Sequence, residues 1–242
     1  MKSLHFLQAQ YWQSPNSFLS AKEIVQRKCR NSLYILKQYL AFRTKNYPDQ
    51  AATLQIHLST IISLQEQIPA ANGRQSLFLV EAQASRAYWQ AFALLAHCPT
   101  TWRRFYPRAP DYWNKALNIA YTMLANIVRE RLKQRNLSLE IGVLHSPQVG
   151  HEALVYDLEE LFRQPMVDAS MLAIFSRNKK KQVDTTRIIA AVSRSFEGRI
   201  YYDHGFLHIQ TVFDKEFDKY ISALKSGGVF YPYQHSWAHR IK

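Results

Sequence analysis

The sequence predicts a mainly α-helical globular protein with several helices and one short β-hairpin near the C-terminus. Hydrophobic residues make up 47% of the 242 residues and aromatic residues 13%, whereas the chain has only 7 Gly and 9 Pro. This composition excludes a disordered or collagen-like chain and argues against a β protein rich in turns. Apolar residues recur at helical spacing through most of the chain, and they alternate as in strands over one short segment.

Four long helices are predicted in the first 135 residues, because apolar side chains recur there every three or four positions. Ser17 or Ser20 can cap the first helix with its hydroxyl, and Asp111 can cap the fourth with its carboxylate. Pro48 ends the first helix, since proline cannot continue the hydrogen-bond ladder. The predicted ranges are approximately 17–47, 49–67, 77–98 and 112–135.

Shorter helices and the hairpin are predicted in the second half of the chain. Glycine and proline interrupt residues 142–150, which form a loop containing His145, and a helix follows over residues 151–163. Residues 199–209 alternate in polarity, as two short antiparallel strands do. We expect one helix on each side of this hairpin.

The predicted domain organisation is a single helical domain over residues 1–242. No internal repeat or change in composition marks a boundary, and the breaker-rich residues 69–73 form only a minor candidate seam, short enough for an ordinary loop. Cys29 and Cys98 fall on helical segments and are too few for a disulfide framework. We therefore expect both to pack as small apolar side chains in a reducing compartment.

The charge balance predicts a polyanionic partner. Lys and Arg number 31 against 18 Asp and Glu, which gives a formal net charge of +13 at pH 7. The N-terminus lacks the basic, apolar and small-residue zones of a secretion signal, and no apolar run reaches the roughly 18 residues of a membrane span. We expect a cytoplasmic protein that binds nucleic acid and no membrane.

Four side chains are candidates for a metal centre. Asp157 and Glu160 lie three positions apart on a predicted helix, so their carboxylates project from nearly the same face and could share one cation. His145 lies on the loop just upstream, and Glu81 lies early in the third predicted helix. Carboxylate oxygens are suitable ligands for Mg²⁺. With an added imidazole, the site would accept Mn²⁺ as readily as Mg²⁺. The alternative is a solvated helix face on which a nearby arginine neutralises the acidic pair.

Two basic segments are candidate nucleic-acid-binding sites. Residues 102–108 interleave arginines with aromatic residues, a combination that can stack bases and bind phosphates. Residues 177–181 contain three consecutive lysines that can contact phosphate. The alternatives are a loop pinned to the core by its aromatic side chains and a solvated charged loop. The candidate residues are Arg103, Arg104, Arg108, Lys179, Lys180 and Lys181.

Metal-free RNA cleavage is a third functional class to weigh. Arg199 and His204 have the spacing of an arginine–histidine pair found in one class of helical ribonucleases. That chemistry needs the pair at the start of a helix, whereas these two residues fall in the predicted hairpin. We therefore interpret their spacing as accidental.

Several ordered motifs resemble the catalytic lobe of the Cas1 family of CRISPR-associated spacer integrases. They extend over nearly the whole chain, and the most specific are the histidine-containing loop and the acidic segment that follows it. The matching stretches are Ile24–Asn31, Glu81–Trp89, Arg108–Leu117 with Tyr121, Gly142–His145, and Leu154–Arg163 with Asp168.

This resemblance implies a metal-dependent DNA endonuclease and integrase. It implies that Glu81, His145 and Glu160 hold Mg²⁺ or Mn²⁺, with Asp157 close to the metal, and that a DNA 3′-hydroxyl attacks a phosphodiester. Arg86, in the second motif, joins the predicted nucleic-acid-binding residues. Glu160 is a departure, since the commoner family residue is Asp, and its longer arm preserves the charge but can shift the metal.

The resemblance also implies partners and leaves alternatives open. Family members usually begin with a β-rich domain that pairs two subunits, and this chain begins where the helical lobe begins. A naturally small integrase, half of a split integrase and a non-catalytic DNA-binding subunit of an adaptation complex remain open, whereas the complete set of candidate site residues argues against a truncated remnant. The implied partners are double-stranded and branched DNA, CRISPR repeat DNA, the Cas2 protein and a second copy of the chain.

Overall fold

The structure is a computed structural model that describes residues 2–177, 183–203 and 205–233. Most of these residues are helical, and two antiparallel strands form the only sheet in the described chain. The predicted mainly α-helical fold with one short hairpin is therefore confirmed. The α-helices are α1 (Leu4–Trp12), α2 (Pro15–Asn46), α3 (Pro48–Gln67), α4 (Arg74–Leu95), α5 (Tyr112–Gln134), α6 (Ala153–Glu159), α7 (Ala169–Arg177), α8 (Thr185–Glu197) and α9 (Ile209–Ser226), and the strands are β1 (Arg199–Tyr202) and β2 (Gly205–His208).

The described residues form two compact units. The first unit contains residues 2–28, 123–163, 196–203 and 205–233, and the second contains residues 29–122, 164–177 and 183–195. The predicted minor seam joins α3 to α4 within the second unit. The prediction of a single domain stays a prediction.

The first unit is held together at the C-terminal end of α9. Gly227 ends this helix in the left-handed conformation, with φ +70°. The Tyr11 hydroxyl donates to the Gly228 carbonyl at 2.9 Å, and the Phe230 amide donates to Ser20 Oγ at 2.7 Å. The chain after α9 is thereby fixed to α1 and α2, and Phe230 is buried.

The second unit is built around the packing of α3 against α4. Leu54, Leu58 and Ile61 of α3 are fully or almost fully buried, as are Leu77 and Ala91 of α4. These positions follow the three- and four-residue spacing that predicted both helices. Polar residues between them leave the outer faces of the pair to solvent.

The structure corrects three details of the predicted helices. A first helix, α1, was not predicted; Ser3 caps it, and its buried Gln8 bonds the backbone of Ser138, a contact that no local pattern signals. The predicted helix over 151–163 is shorter and ends at Glu159. A π-helical segment follows over Arg163–Asp168, where Pro165 has no N–H to donate to a regular α-helical ladder.

Two helices, α7 and α8, precede the hairpin where one was predicted. The hairpin itself is confirmed, with Ile200 paired to Leu207 in an antiparallel register. Lys179, Lys180, Lys181 and His204 lie outside the described residues. Among the residues that are described, no helix combines the length and the apolar character that crossing a membrane would need.

Candidate active site

The loop that contains His145 is wrapped around the carboxylate of Asp157. Asp157 lies on α6 and is completely buried. The backbone N–H groups of Val143, Leu144 and His145 donate to its two oxygens at 2.5, 2.8 and 3.2 Å. A buried charge persists only when hydrogen bonds replace its lost hydration, and these three donors do so.

The same carboxylate sets the orientation of the His145 ring. Nδ1 of His145 lies 2.5 Å from Asp157 Oδ1. The Asp157 carboxylate already accepts three N–H groups and acts only as an acceptor. Nδ1 of His145 therefore carries a hydrogen and donates a hydrogen bond to Asp157. In the neutral ring the lone pair then sits on Nε2, and the imidazole is 36% exposed. This is the arrangement in which proteins present histidine to a metal, with the second nitrogen fixed by a carboxylate.

Gly142 allows the loop to approach Asp157 so closely. A Cβ added at Gly142 would lie 2.5 Å from Asp157 Oδ2 and 2.9 Å from the His145 carbonyl oxygen. Only a residue without a side chain fits there unless the loop or the carboxylate moves.

Gly142→Ala is therefore expected to displace the loop, lowering the stability of the protein by about 1–3 kcal/mol through overpacking. Chemical denaturation measures this change. Gly73→Ala is the matched control, because its added Cβ meets nothing within 4 Å and its effect should stay below about 1 kcal/mol. Equal stabilities of the two variants would contradict the close fit.

Glu159 and Glu160 are both buried at the end of α6, but their pKa values are shifted in opposite directions. Oε1 of Glu160 accepts a hydrogen bond from Lys28 Nζ at 3.0 Å and another from Arg163. Burial acts to raise the pKa of Glu160, but Arg163 and Lys28 outweigh it and lower that pKa to about 2. Burial raises the pKa of Glu159 to about 7, although Arg163 Nε lies 3.4 Å from its Oε1. The alternative of an acidic pair neutralised by a nearby arginine is met in part, since Arg163 contacts both carboxylates, but Glu159 and Glu160 are buried rather than solvated.

Glu81 lies on α4 in the second unit, and Ser85 donates a hydrogen bond to its Oε1 at 2.8 Å. Two turns beyond Glu81, the buried Tyr88 donates its hydroxyl to Asp168 Oδ2 at 2.7 Å, and Tyr121 donates to the other oxygen of Asp168. Burial, followed by the charge of Asp168, raises the pKa of Tyr88 well above its usual value. Asp168 is thus an internal anchor of the second unit.

The donor atoms of the candidate residues are of the kinds that bind divalent cations. Oε2 of Glu160 is buried and has no hydrogen-bond partner among the described residues, an arrangement that is costly unless a further positive group faces it. Carboxylate oxygen and imidazole nitrogen together suit Mg²⁺ and Mn²⁺. No three His, Cys, Asp or Glu side chains of residues 2–177, 183–203 and 205–233 cluster closely enough to hold an ion. The ligand set of Glu81, His145 and Glu160 therefore stays a prediction.

The basic aromatic loop between α4 and α5 has an inward and an outward part. The Arg104 guanidinium lies over the rings of Trp89 and Tyr121, 5.7 and 5.3 Å from their centroids. Phe105 and Tyr106 are 43% and 63% exposed. The flanking Arg103 and Arg108 are also exposed and form no side-chain hydrogen bond or ion pair with any described residue. Arg104 anchors this loop, while its neighbours are free to meet a ligand.

Asn114 organises this loop, a role that the sequence analysis missed. Its fully buried amide group donates to the Arg103 carbonyl at 2.9 Å and accepts from the Phe105 amide at 2.8 Å. It also donates to Asp111 Oδ2 at 2.7 Å, and Asp111 caps α5 as predicted through the Asn114 N–H. An asparagine three positions after a capping aspartate was the available signal.

Comparison with known proteins decides the family. Residues 2–199 match the family model described as CRISPR associated protein Cas1. The chain belongs to the Cas1 family. The resemblance drawn from the sequence motifs is thereby confirmed.

The curated Cas1 relatives are longer than this chain. The chain is 28% identical over 162 residues to a CRISPR-associated endonuclease Cas1 of Saccharolobus solfataricus. The alignment covers 66% of this chain and 46% of the relative. A Cas1 of Methanospirillum hungatei is 29% identical over 178 residues, covering 66% of this chain and 53% of the relative. The chain thus spans about half the length of these relatives.

Solved structures share the fold of this Cas1 chain. A casposase bound to integration product superposes with a TM-score of 0.76 at 18% identity. The superposition covers 96% of this chain and 72% of the casposase chain. A Cas1 protein from Thermotoga maritima has a TM-score of 0.75 at 17% identity and covers 94% and 72%. A partial Cas6-RT-Cas1–Cas2 complex has a TM-score of 0.76 at 22% identity and covers 95% and 72%.

Proposed function

We propose that this Cas1 chain is a metal-dependent DNA endonuclease and integrase that inserts short DNA into a CRISPR array. The observation that carries the proposal is the hydrogen bond between His145 Nδ1 and the buried carboxylate of Asp157, within a chain of the Cas1 family. Metal-binding histidines commonly have one ring nitrogen bonded to a carboxylate in this way, while the other nitrogen binds the metal. The relatives' names, which include endonuclease, support the same reaction class.

The chain's own residues have distinct roles in this mechanism. Glu81, His145 and Glu160 would hold Mg²⁺ or Mn²⁺, which supplies Lewis-acid polarisation of the scissile phosphate during attack by a DNA 3′-hydroxyl. Asp157 is a positioning residue, because its hydrogen bonds hold the loop and the ring of His145. Lys28 and Arg163 keep Glu160 ionised.

DNA is the proposed substrate, and Cas2 is the proposed protein partner. The net charge of +13 favours a polyanion, and the exposed Arg103 and Arg108 flank two exposed aromatic rings that can stack on bases. Similar chains occur in a casposase bound to integration product and in a Cas6-RT-Cas1–Cas2 complex. Insertion of both ends of one DNA requires two such sites, so a second copy of the chain also belongs to the proposal.

Joining of a labelled short duplex to a repeat-containing plasmid tests the proposal. We expect labelled plasmid in the presence of Mn²⁺ or Mg²⁺, and none with a chelator or with a duplex whose 3′ ends lack the hydroxyl group. Absence of product both with and without Cas2, while DNA binding persists, would contradict the integrase and favour the non-catalytic DNA-binding subunit. Cleavage of RNA in chelator would instead favour the ribonuclease interpretation.

A further inference from the structure

An open groove of about 590 Å³ runs between α3 and α4 on the surface of the second unit. Its floor is apolar and buried, and its walls carry exposed hydroxyl, amide and guanidinium groups. These polar groups belong to Ser59, Ser63 and Gln67 of α3, and to Gln83, Arg86 and Gln90 of α4. None of the lining residues is acidic.

Arg86 gives the groove a positive charge that no neighbour neutralises. Its side chain is exposed and forms no hydrogen bond or ion pair within the described part of the chain. Hydroxyl, amide and guanidinium groups are those that contact the phosphates and sugars of nucleic acid. The groove therefore offers donors to an anion and no carboxylate to repel it.

The spacing of these donors favours a linear ligand. Ser59, Ser63 and Gln67 follow one another every four residues, so their Cα atoms advance by about 6 Å along α3. Gln83, Arg86 and Gln90 form a second row on α4 at intervals of three and four residues. Two parallel rows of polar groups along an open channel suit a repeating polymer better than a compact molecule.

The groove is separate from the predicted metal ligand on the same helix. Gln90 lies nine residues beyond Glu81, which corresponds to about two and a half turns of an α-helix. The two side chains therefore project from opposite sides of α4. A ligand in the groove contacts α4 on the side away from the Glu81 carboxylate.

We propose that the α3–α4 groove binds the sugar–phosphate backbone of a DNA strand, at a position remote from the reacting phosphodiester. The proposal rests on the proposed function in taking DNA as the ligand. It assigns to Arg86 a phosphate contact and to the two polar rows the hydrogen bonds that align the strand. Such contacts strengthen binding regardless of base sequence.

Charge reversal in the groove tests this proposal. Arg86→Glu should weaken binding of a labelled short duplex with single-stranded 3′ ends by about 10-fold at low salt, and reduce the salt slope of log K by about 1. Arg187→Glu is the matched control, because Arg187 is exposed on α8 of the same unit, outside the groove. We expect its binding to stay within about twofold of wild type, and fluorescence anisotropy measures both.

Photo-cross-linking locates the strand. A benzophenone amino acid replacing Ser63 should cross-link to DNA, whereas the same group replacing Arg187 should not, since Arg187 is exposed on α8 outside the groove. Equal binding by Arg86→Glu and Arg187→Glu, or equal cross-linking from positions 63 and 187, would overturn the groove assignment.

The joining assay on wild-type protein separates the two proposals. Joined product together with unchanged binding by Arg86→Glu would overturn the groove and leave the integrase standing. Loss of binding in Arg86→Glu without joined product from wild type would overturn the integrase and support the groove.

Discussion

Replacing His145 with alanine is expected to lower metal-dependent DNA joining by at least about 100-fold while DNA binding stays within about twofold of wild type. The variant loses the proposed Nε2 ligand, but Asp157 keeps its three backbone donors, so the loop should retain its shape. A stability loss of about 1–2 kcal/mol is expected from the one lost hydrogen bond.

Thermal unfolding and a control variant accompany this prediction. Thermal unfolding with increasing Mn²⁺ should show stabilisation of wild type and little of His145→Ala, because a ligand that binds only the folded state raises its stability. His5→Ala is the matched control, since His5 is exposed on α1 of the same unit, and it should behave as wild type. Metal-dependent joining by His145→Ala at the wild-type rate would remove His145 from the metal site.

Asp168→Ala is expected to destabilise the protein by about 2–6 kcal/mol, at about 1–3 kcal/mol for each buried hydroxyl that is left unpaired. Asp168 is completely buried and accepts the hydroxyls of Tyr88 and Tyr121, so its removal leaves two buried phenols without their acceptor. In a chain of this size, such a loss lowers Tm by about 10 °C.

Calorimetry of Asp168→Ala beside Tyr88→Phe gives the comparison. The Tyr88→Phe variant removes one hydrogen bond and leaves Asp168 paired with Tyr121, so its loss should be about 1–2 kcal/mol. A Tm of Asp168→Ala within a degree or two of wild type would show that Asp168 is not an anchor of the second unit.

The long helices and the hairpin were predictable because their signals are local. Apolar spacing gave α3 and α5 within a few residues, and Asp111 caps α5 as its position indicated. By contrast, α1 depends on the bonds of Gln8 to Ser138, which lies 130 residues further along the chain. A short helix whose apolar residues are not gathered on one face, and which is stabilised by such a distant contact, carries no periodic signal of its own.

The site was predictable as a set of residues but not as a set of contacts. Asp157 and Glu160 lie three residues apart, yet they have different partners. Asp157 accepts hydrogen bonds from the loop and ring of His145, and Glu160 accepts them from Lys28 and Arg163. Lys28 precedes Glu160 by 132 residues, so its contact arises only from the folded arrangement of α2 and α6. Spacing along a helix indicates a shared face, and tertiary neighbours decide what each side chain does there.

The buried amide of Asn114 has a thermodynamic consequence for recognition. It fixes the backbone on both sides of Arg104 within the folded protein, so the ordering entropy of this loop is lost during folding rather than during association. Phe105 and Tyr106 then have mainly their own side-chain torsions to restrict on contact. A ligand that stacks on these rings meets a preorganised surface, which favours tight binding from a small contact area.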